Sequence, residues 1–157
     1  DGVITATYGD VTFFCNLGDV PRAVGGHDLP PYGFRAEAPG VTAGLAPDGT
    51  GYVTEAGKGK TDVWIFAPSE STVSVPVPLA GHAKVTLDGA DLSDLRHPTS
   101  DSLRLTLPRR GSHENVAVAA TRQRTTPPAP IPPAGTRYLY HATLTPDSLL
   151  SRVKAWF

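Results

Sequence analysis

Apolar and polar residues alternate in short runs along most of this chain, the period-two signature of strands with one buried face. In Thr72–Val77 and the following Pro78, Val73, Val75 and Val77 take one face while Ser74, Pro76 and Pro78 take the other. Proline cannot donate to a ladder, so this run is expected at a sheet edge with its valines inward. Leu103, Leu105 and Leu107 alternate with Arg104 and Thr106, and Val85 and Leu87 with Lys84, Thr86 and Asp88. Two runs differ. Val63 and Ile65 oppose Trp64 and Phe66, and Val11, Phe13 and Cys15 oppose Phe14, so both faces are apolar. Such strands belong in the interior of a sheet, with the second face covered by a loop, by the C-terminal segment or by a neighbour. Cys15, mid-strand beside Phe13, reads as a buried, inert thiol.

The runs predicted as strands are Val3–Tyr8, Val11–Asn16, a short Val20–Val24, Tyr32–Glu37, Tyr52–Ala56, Asp62–Ala67, Thr72–Val77, Ala83–Asp88, Leu103–Leu107, Asn115–Thr121 and Thr136–Leu144. Gly, Pro and Asp clusters separate them, and no helical pattern intervenes. The expected fold is therefore all-β: a two-layer antiparallel β-sandwich occupying residues 1–125. Thr126–Pro133 holds five prolines in eight positions and favours extended polyproline geometry, giving a linker or strap over 126–135. Residues 136–157 then read as a strand plus a short amphipathic helix. Thr145 is its expected N-cap, Pro146 its first residue, and Asp147 an acid in its first turn. Leu149, Leu150, Val153, Trp156 and Phe157 form a stripe that must dock on the sandwich or on a neighbour, because a 12-residue helix is marginal alone.

Composition narrows the function classes. The 157 residues include 16 Gly, 16 Pro, one Cys and no Met, with a net charge of −1. One Cys excludes an internal disulfide framework and a cysteine-based zinc site. No apolar run approaches the roughly 18 residues of a membrane-spanning helix, and a pI near 6.6 lacks the basic footprint of a nucleic-acid binder. Neither a membrane nor a nucleic acid is thus an expected partner. A chain that opens Asp-Gly without Met reads as a mature or excised piece. Residues 1–79 carry four Lys/Arg against nine Asp/Glu and residues 80–157 carry ten against six, giving −5 and +4. Arginine-rich surfaces can fork onto carboxylates and stack on rings, although a solvated surface explains the same charges.

The segment Phe13-Phe14-Cys15-Asn16-Leu17-Gly18-Asp19-Val20-Pro21, followed by Leu29-Pro30-Pro31-Tyr32-Gly33-Phe34, carries the most specific pattern. It resembles the turn "Y/F-x-x-N-x-G/S-D-x-P … L-P-P-Y/K-G-F" of accessory, non-catalytic β-sandwich domains in multidomain secreted glycoside hydrolases. Val85-Thr86-Leu87-Asp88-Gly89, Leu103–Pro108 and Val116–Ala120 are similar to the far end of such sandwiches. The resemblance covers about a sixth of the chain, and turn chemistry alone selects several of its residues. It implies an immunoglobulin-like sandwich, a secreted setting, and a function of binding polysaccharide or oligosaccharide weakly or bracing an adjoining catalytic domain of the same polypeptide. It brings no cofactor and no catalytic residue, since the motif is structural.

Sugar binding needs flat aromatics for axial C–H groups and planar polar side chains for hydroxyls. The candidates are Trp64 with Asp62, Tyr32, Tyr52 and Arg35. Trp64 shares a face with Asp62 and Phe66: if that face is open it is a site, and if the C-terminal helix covers it Trp64 is core. Tyr32 is either part of a rigid Pro30-Pro31-Tyr32 corner or a sugar platform. Asp88, Asp91 and Asp94 offer oxygen ligands for Ca²⁺ without EF-hand spacing, so turn and capping roles compete. No metal is assigned. His113-Glu114 lacks the second His of a zincin, and no nucleophile elbow, P-loop or dinucleotide fingerprint occurs. The alternative from another class is a small β-sandwich glycosidase or lyase with its carboxylates on loops, marked by a cleft holding a pair of acids.

Overall fold

Alternation becomes strand almost wherever it occurs. A computed structural model describes residues 2–78, 83–92, 96–98, 101–110 and 135–146, and every regular element among them is a strand. In chain order these are β1 (Val3–Tyr8), β2 (Val11–Asn16), β3 (Arg22–Val24), β4 (His27–Leu29), β5 (Phe34–Ala38), β6 (Val41–Leu45) and β7 (Gly51–Gly57). They continue with β8 (Lys60–Pro68), β9 (Thr72–Pro76), β10 (Ala83–Leu87), β11 (Ala90–Asp91), β12 (Arg96–Pro98), β13 (Ser102–Thr106) and β14 (Arg137–Pro146). A nine-stranded antiparallel sheet runs β1-β2-β5-β6-β7-β8-β14-β10-β11, a three-stranded sheet runs β12-β13-β9, and β3 and β4 form a separate hairpin.

Two-residue turns join five of the pairs: Gly9-Asp10, Gly25-Gly26, Pro39-Gly40, Lys58-Gly59 and Asp88-Gly89. In Asp88-Gly89 both residues have positive φ, 48° and 86°, the type I′ geometry that matches strand twist. The core gathers the inward residues of both large sheets. Tyr52, Val63, Ile65, Val85, Leu87, Tyr140, Ala142 and Leu144 from the nine-stranded sheet cluster with Val73, Val75, Leu103 and Leu105 from the three-stranded one. Tyr140 is fully buried and satisfies its hydroxyl by donating to Pro108 O at 3.0 Å.

The edge placement of the Thr72–Val77 run is observed: among the described residues β9 pairs with β13 alone. Its ring at Pro76 costs no ladder bond, because Ser74, of the same parity, points its N–H outward to Asp48 Oδ2 at 3.2 Å. Both two-faced strands are interior, β2 between β1 and β5 and β8 between β7 and β14. Their second face, however, is not covered: Phe13 and Phe66 are 40% and 49% exposed. Cys15, expected to be buried, is consequently only half-buried.

Other expectations need correction. Thr145 and Pro146 do not begin a helix. They end β14, with Thr145 paired to Lys84 and Pro146 to Ala83, because cross-strand bonding continues the ladder past the cap signal. Residues 147–157, the rest of the expected helix, lie outside the described residues, as do Asn115–Thr121 and Thr126–Pro133. Tyr32 does not open a strand. It sits in a turn at φ 53°, with Gly33 N donating to Pro30 O at 2.9 Å, so the Pro30-Pro31-Tyr32 corner is what forms. β4, β6, β11 and β12 were not predicted as strands, β6 because Ala43 and Gly44 interrupt its apolar rhythm.

Candidate functional site

The pairing register splits the candidate residues between opposite faces of the nine-stranded sheet. One face, called inner here, carries Arg35 and Tyr52 toward the core side. The other, outer, carries Asp62, Trp64 and Phe66. Tyr32 joins neither group and stands 68% exposed at its corner.

On the inner face Arg35, Gly44 and Tyr52 lie in one row across β5, β6 and β7. Strands two apart normally keep side chains from meeting, since each spacing is about 4.8 Å. Gly44 removes the obstacle. A Cβ there would stand 2.6 Å from Phe34 O and 3.3 Å from the Tyr52 hydroxyl. Through this gap Arg35 Nη1 donates to Tyr52 Oη at 3.2 Å. Arg35 Nε donates to Glu37 Oε1 at 2.6 Å, and His27 Nε2 reaches the same oxygen at 3.2 Å. Burial pushes the Tyr52 hydroxyl above its ordinary pKa, while the Arg35 charge and hydrogen bond oppose that rise.

The β3–β4 hairpin caps this row. His27 packs edge-on against Phe14 with ring centroids 5.1 Å apart. Gly25 sits above the same ring at φ 59°, where a Cβ would stand 2.2 Å from it. Between hairpin, sheet and the β9 edge lies a cavity of about 380 Å³. Its walls are Gly26, His27, Asp28 and Leu29 from the hairpin, Arg35, Leu45 and Tyr52 from the sheet, and Ala46 and Pro47 from the β6–β7 connection. Ser74, Pro76, Asp101 and Ser102 close the far side. Asn16 anchors the assembly. Fully buried, its amide donates to Val20 O at 2.7 Å and Pro30 O at 2.9 Å and accepts from Gly18 N at 3.0 Å. This ties the two halves of the Asn16–Asp19 and Leu29–Phe34 motif together.

On the outer face Trp64 stacks on His141 of β14, with centroids 5.1 Å apart and planes 17° from parallel. That separation is close to the strand spacing, so one ring face of Trp64 is taken by imidazole. His141 Nε2 donates to Asp62 Oδ1 at 2.9 Å, the Thr143 hydroxyl donates to the same atom at 3.1 Å, and Lys60 Nζ lies 2.7 Å from Oδ2. The Lys60 hydrogen bond, seconded by His141 and Thr143 and opposed by burial, holds the Asp62 carboxyl below its ordinary range. That is the wrong direction for a general acid.

From this polar cluster toward β1 the outer face turns apolar. Ala6, Phe13, Ala36, Ala43, Val53 and Trp64 form one continuous row across six strands. Of the twelve large hydrophobic residues exposed among the described residues, eight stand here: Ile4, Tyr8, Phe13, Phe34, Val41, Val53, Phe66 and Leu139. No sequence signal marked this face as a whole, because its residues come from strands distant in the chain.

For metal, Asp88 pairs with Arg110 and accepts from His141 N at 3.1 Å, and Asp91 lies 3.3 Å from Lys84 Nζ. Asp94 lies outside the described residues, and among those described no three His, Cys, Asp or Glu side chains group as a metal site would require. Comparison with family models, curated proteins and solved structures finds no match to this chain.

Proposed function

We propose that this chain is a non-catalytic accessory domain that works by packing the outer face of its nine-stranded sheet against a neighbouring protein domain. The observation that carries this reading is the gathering of eight exposed large hydrophobic residues on one sheet face. Single exposed apolar residues are ordinary, whereas a contiguous apolar face marks an interaction surface. The setting, a secreted polysaccharide-degrading enzyme with an adjoining catalytic domain, and the finer description as an immunoglobulin-like two-layer sandwich, rest on the motif resemblance. The β-sheets sharing one core are compatible with both. Hydroxyl-radical footprinting tests the docking. Phe13, Phe34, Trp64 and Phe66 should label freely in the isolated chain and be protected in the longest native polypeptide that contains it. Equal labelling in both would overturn the reading.

A second reading, weak carbohydrate binding, is favoured by the cavity beneath the β3–β4 hairpin. It puts Arg35, Tyr52, Asp28 and His27 around one space with apolar Leu29 and Ala46, the mixture a sugar ring uses. Titration with a panel of soluble polysaccharides and their oligosaccharides separates the sites: shifts abolished by Asp28→Asn indicate the cavity, and shifts abolished by Trp64→Ala indicate the outer face. The glycosidase or lyase alternative gains no support from Asp62, whose carboxyl is lowered rather than raised.

A further inference from the structure

The sheets end in edges that differ in how they are closed. β9 carries Pro76, and its outward Ser74 N–H is taken by Asp48. β11 is two residues long and contains Asp91, and β12 is three residues long and ends in Pro98. These are the usual means of blunting an edge: shortness, charge and proline. β1 has none of them. It is six residues long, all six are exposed, and no residue from Gly2 to Gly9 is charged or proline. Four of its six residues, Val3, Ile4, Thr5 and Thr7, are β-branched, the composition that pairs best in sheets.

The register fixes which backbone groups are unpaired. Leu17 N donates to Gly2 O at 2.6 Å, so Gly2 and Leu17 form a hydrogen-bonded pair. Antiparallel pairs alternate, and the pairing Ile4↔Cys15, Ala6↔Phe13 and Tyr8↔Val11 therefore uses the N–H and C=O groups of Ile4, Ala6 and Tyr8 toward β2. Those of Val3, Thr5 and Thr7 point away from the sheet. An open row of three donors and three acceptors is a template for another strand.

We infer that β1 pairs antiparallel with β1 of a second copy of this chain, about a two-fold axis perpendicular to the sheet at Thr5. In that register Thr5 faces Thr5 of the second copy and Val3 faces its Thr7, so all six outward groups find partners. On the outer face Ile4 meets the small Ala6 of the second copy, a large-to-small fit. Thr–Thr and Val–Thr pairs are favourable neighbours, and no like charges oppose each other. The segment is thus complementary to itself. The two-fold brings the two outer faces onto the same side, where their apolar rows run on across the junction. This inference concerns the sheet edge and stands apart from the face-docking function.

Sedimentation velocity over a wide concentration range tests it, with hydrogen exchange as a direct readout. The chain should dimerise reversibly, and the Val3, Thr5 and Thr7 amides should exchange fast when dilute and slowly when concentrated. Thr5→Pro removes an outward N–H and leaves the β2-directed bonds of Ile4 and Ala6 in place, as Pro76 does in β9. It should weaken dimerisation about tenfold or more, and Thr5→Lys, which sets two cations at the axis, should do the same. If Thr5→Pro fails to fold, Thr5→Lys decides the question. Phe66→Lys with Leu139→Lys should leave the dimer unchanged. A chain that stays monomeric at high micromolar concentration would overturn the inference, as would a dimer indifferent to both Thr5 variants or one dissolved by the Phe66 and Leu139 pair.

Discussion

The nine-stranded sheet is one hydrogen-bonded surface with two unlike halves. Strands β7, β8, β14 and β10 bury their inner face in a core shared with β9 and β13, where Val63, Ile65, Val85 and Tyr140 are fully buried. Strands β1, β2, β5 and β6 carry the polar inner-face residues Thr12, Arg35, Glu37 and Thr42, and a two-stranded hairpin with a cavity beneath it stands where the second sheet would be. The first half is held by burial of apolar area. The second is held by specific polar ties: Asn16 to the motif backbone, and Arg35 to Tyr52 and Glu37. The difference locates stability in one half and leaves the other free for recognition.

The strongest test of that division is a pair of matched truncations followed by chemical denaturation. Ile65→Ala empties a fully buried site and should cost about 2–5 kcal/mol. Ile4→Ala, at a position 47% exposed, should cost less than about 1 kcal/mol. Similar losses at the two sites would break the comparison.

Asn16→Ala probes the polar half. It strands the buried carbonyl of Pro30 and the part-buried one of Val20 and should cost about 1–3 kcal/mol. If the two halves open separately, native-state hydrogen exchange should accelerate in β2 and β5 while β8 and β14 keep their protection. Uniform acceleration would mean that the sheet opens as one unit.

Acid sharpens the comparison further, with a smaller effect. The Asp62 carboxyl is held below its unfolded value, so its contribution to stability is complete above the unfolded pKa near 3.9 and disappears as pH falls through the folded value. Asp62→Asn should flatten the part of the acid-stability profile that Asp62 supplies, lowering stability at neutral pH and leaving the acid limit little changed. A profile that keeps its slope would remove Asp62 from that account. Smallest of all is Phe66→Lys, expected within about 0.5 kcal/mol of the parent because Phe66 stands on the open outer face. A large loss there would show the face to be covered.

The backed half was legible in the sequence because its residues alternate cleanly: Val73-Val75-Val77, Leu103-Leu105-Leu107 and Val85-Leu87 each announce one buried face. The unbacked half was harder to read. Ala43-Gly44 interrupts the apolar rhythm of β6, yet the missing Cβ of Gly44 is what lets Arg35 reach Tyr52. The cap signal at Thr145-Pro146 was a sound local reading, overridden by pairing to Lys84 and Ala83 from far along the chain. The candidate residues were recognised by chemical type, and nothing in their spacing showed that Trp64 and Asp62 lie on the opposite side of the sheet from Arg35 and Tyr52.

By itself, then, the sequence determined most of the longer strands, the inward face of those that alternate cleanly, and many of the turns, since these depend on neighbours one or two positions away. It also supplied the Asn16 and Pro30-Pro31 motif whose local hydrogen bonds build the corner at Tyr32. The tertiary structure alone decided which strands share a sheet, which apolar faces found a partner and which stayed open, and that β1 ends the sheet with no further strand beside it among the described residues. Those outcomes depend on pairing between residues tens of positions apart, and alternation within a strand specifies two faces without saying what will cover either.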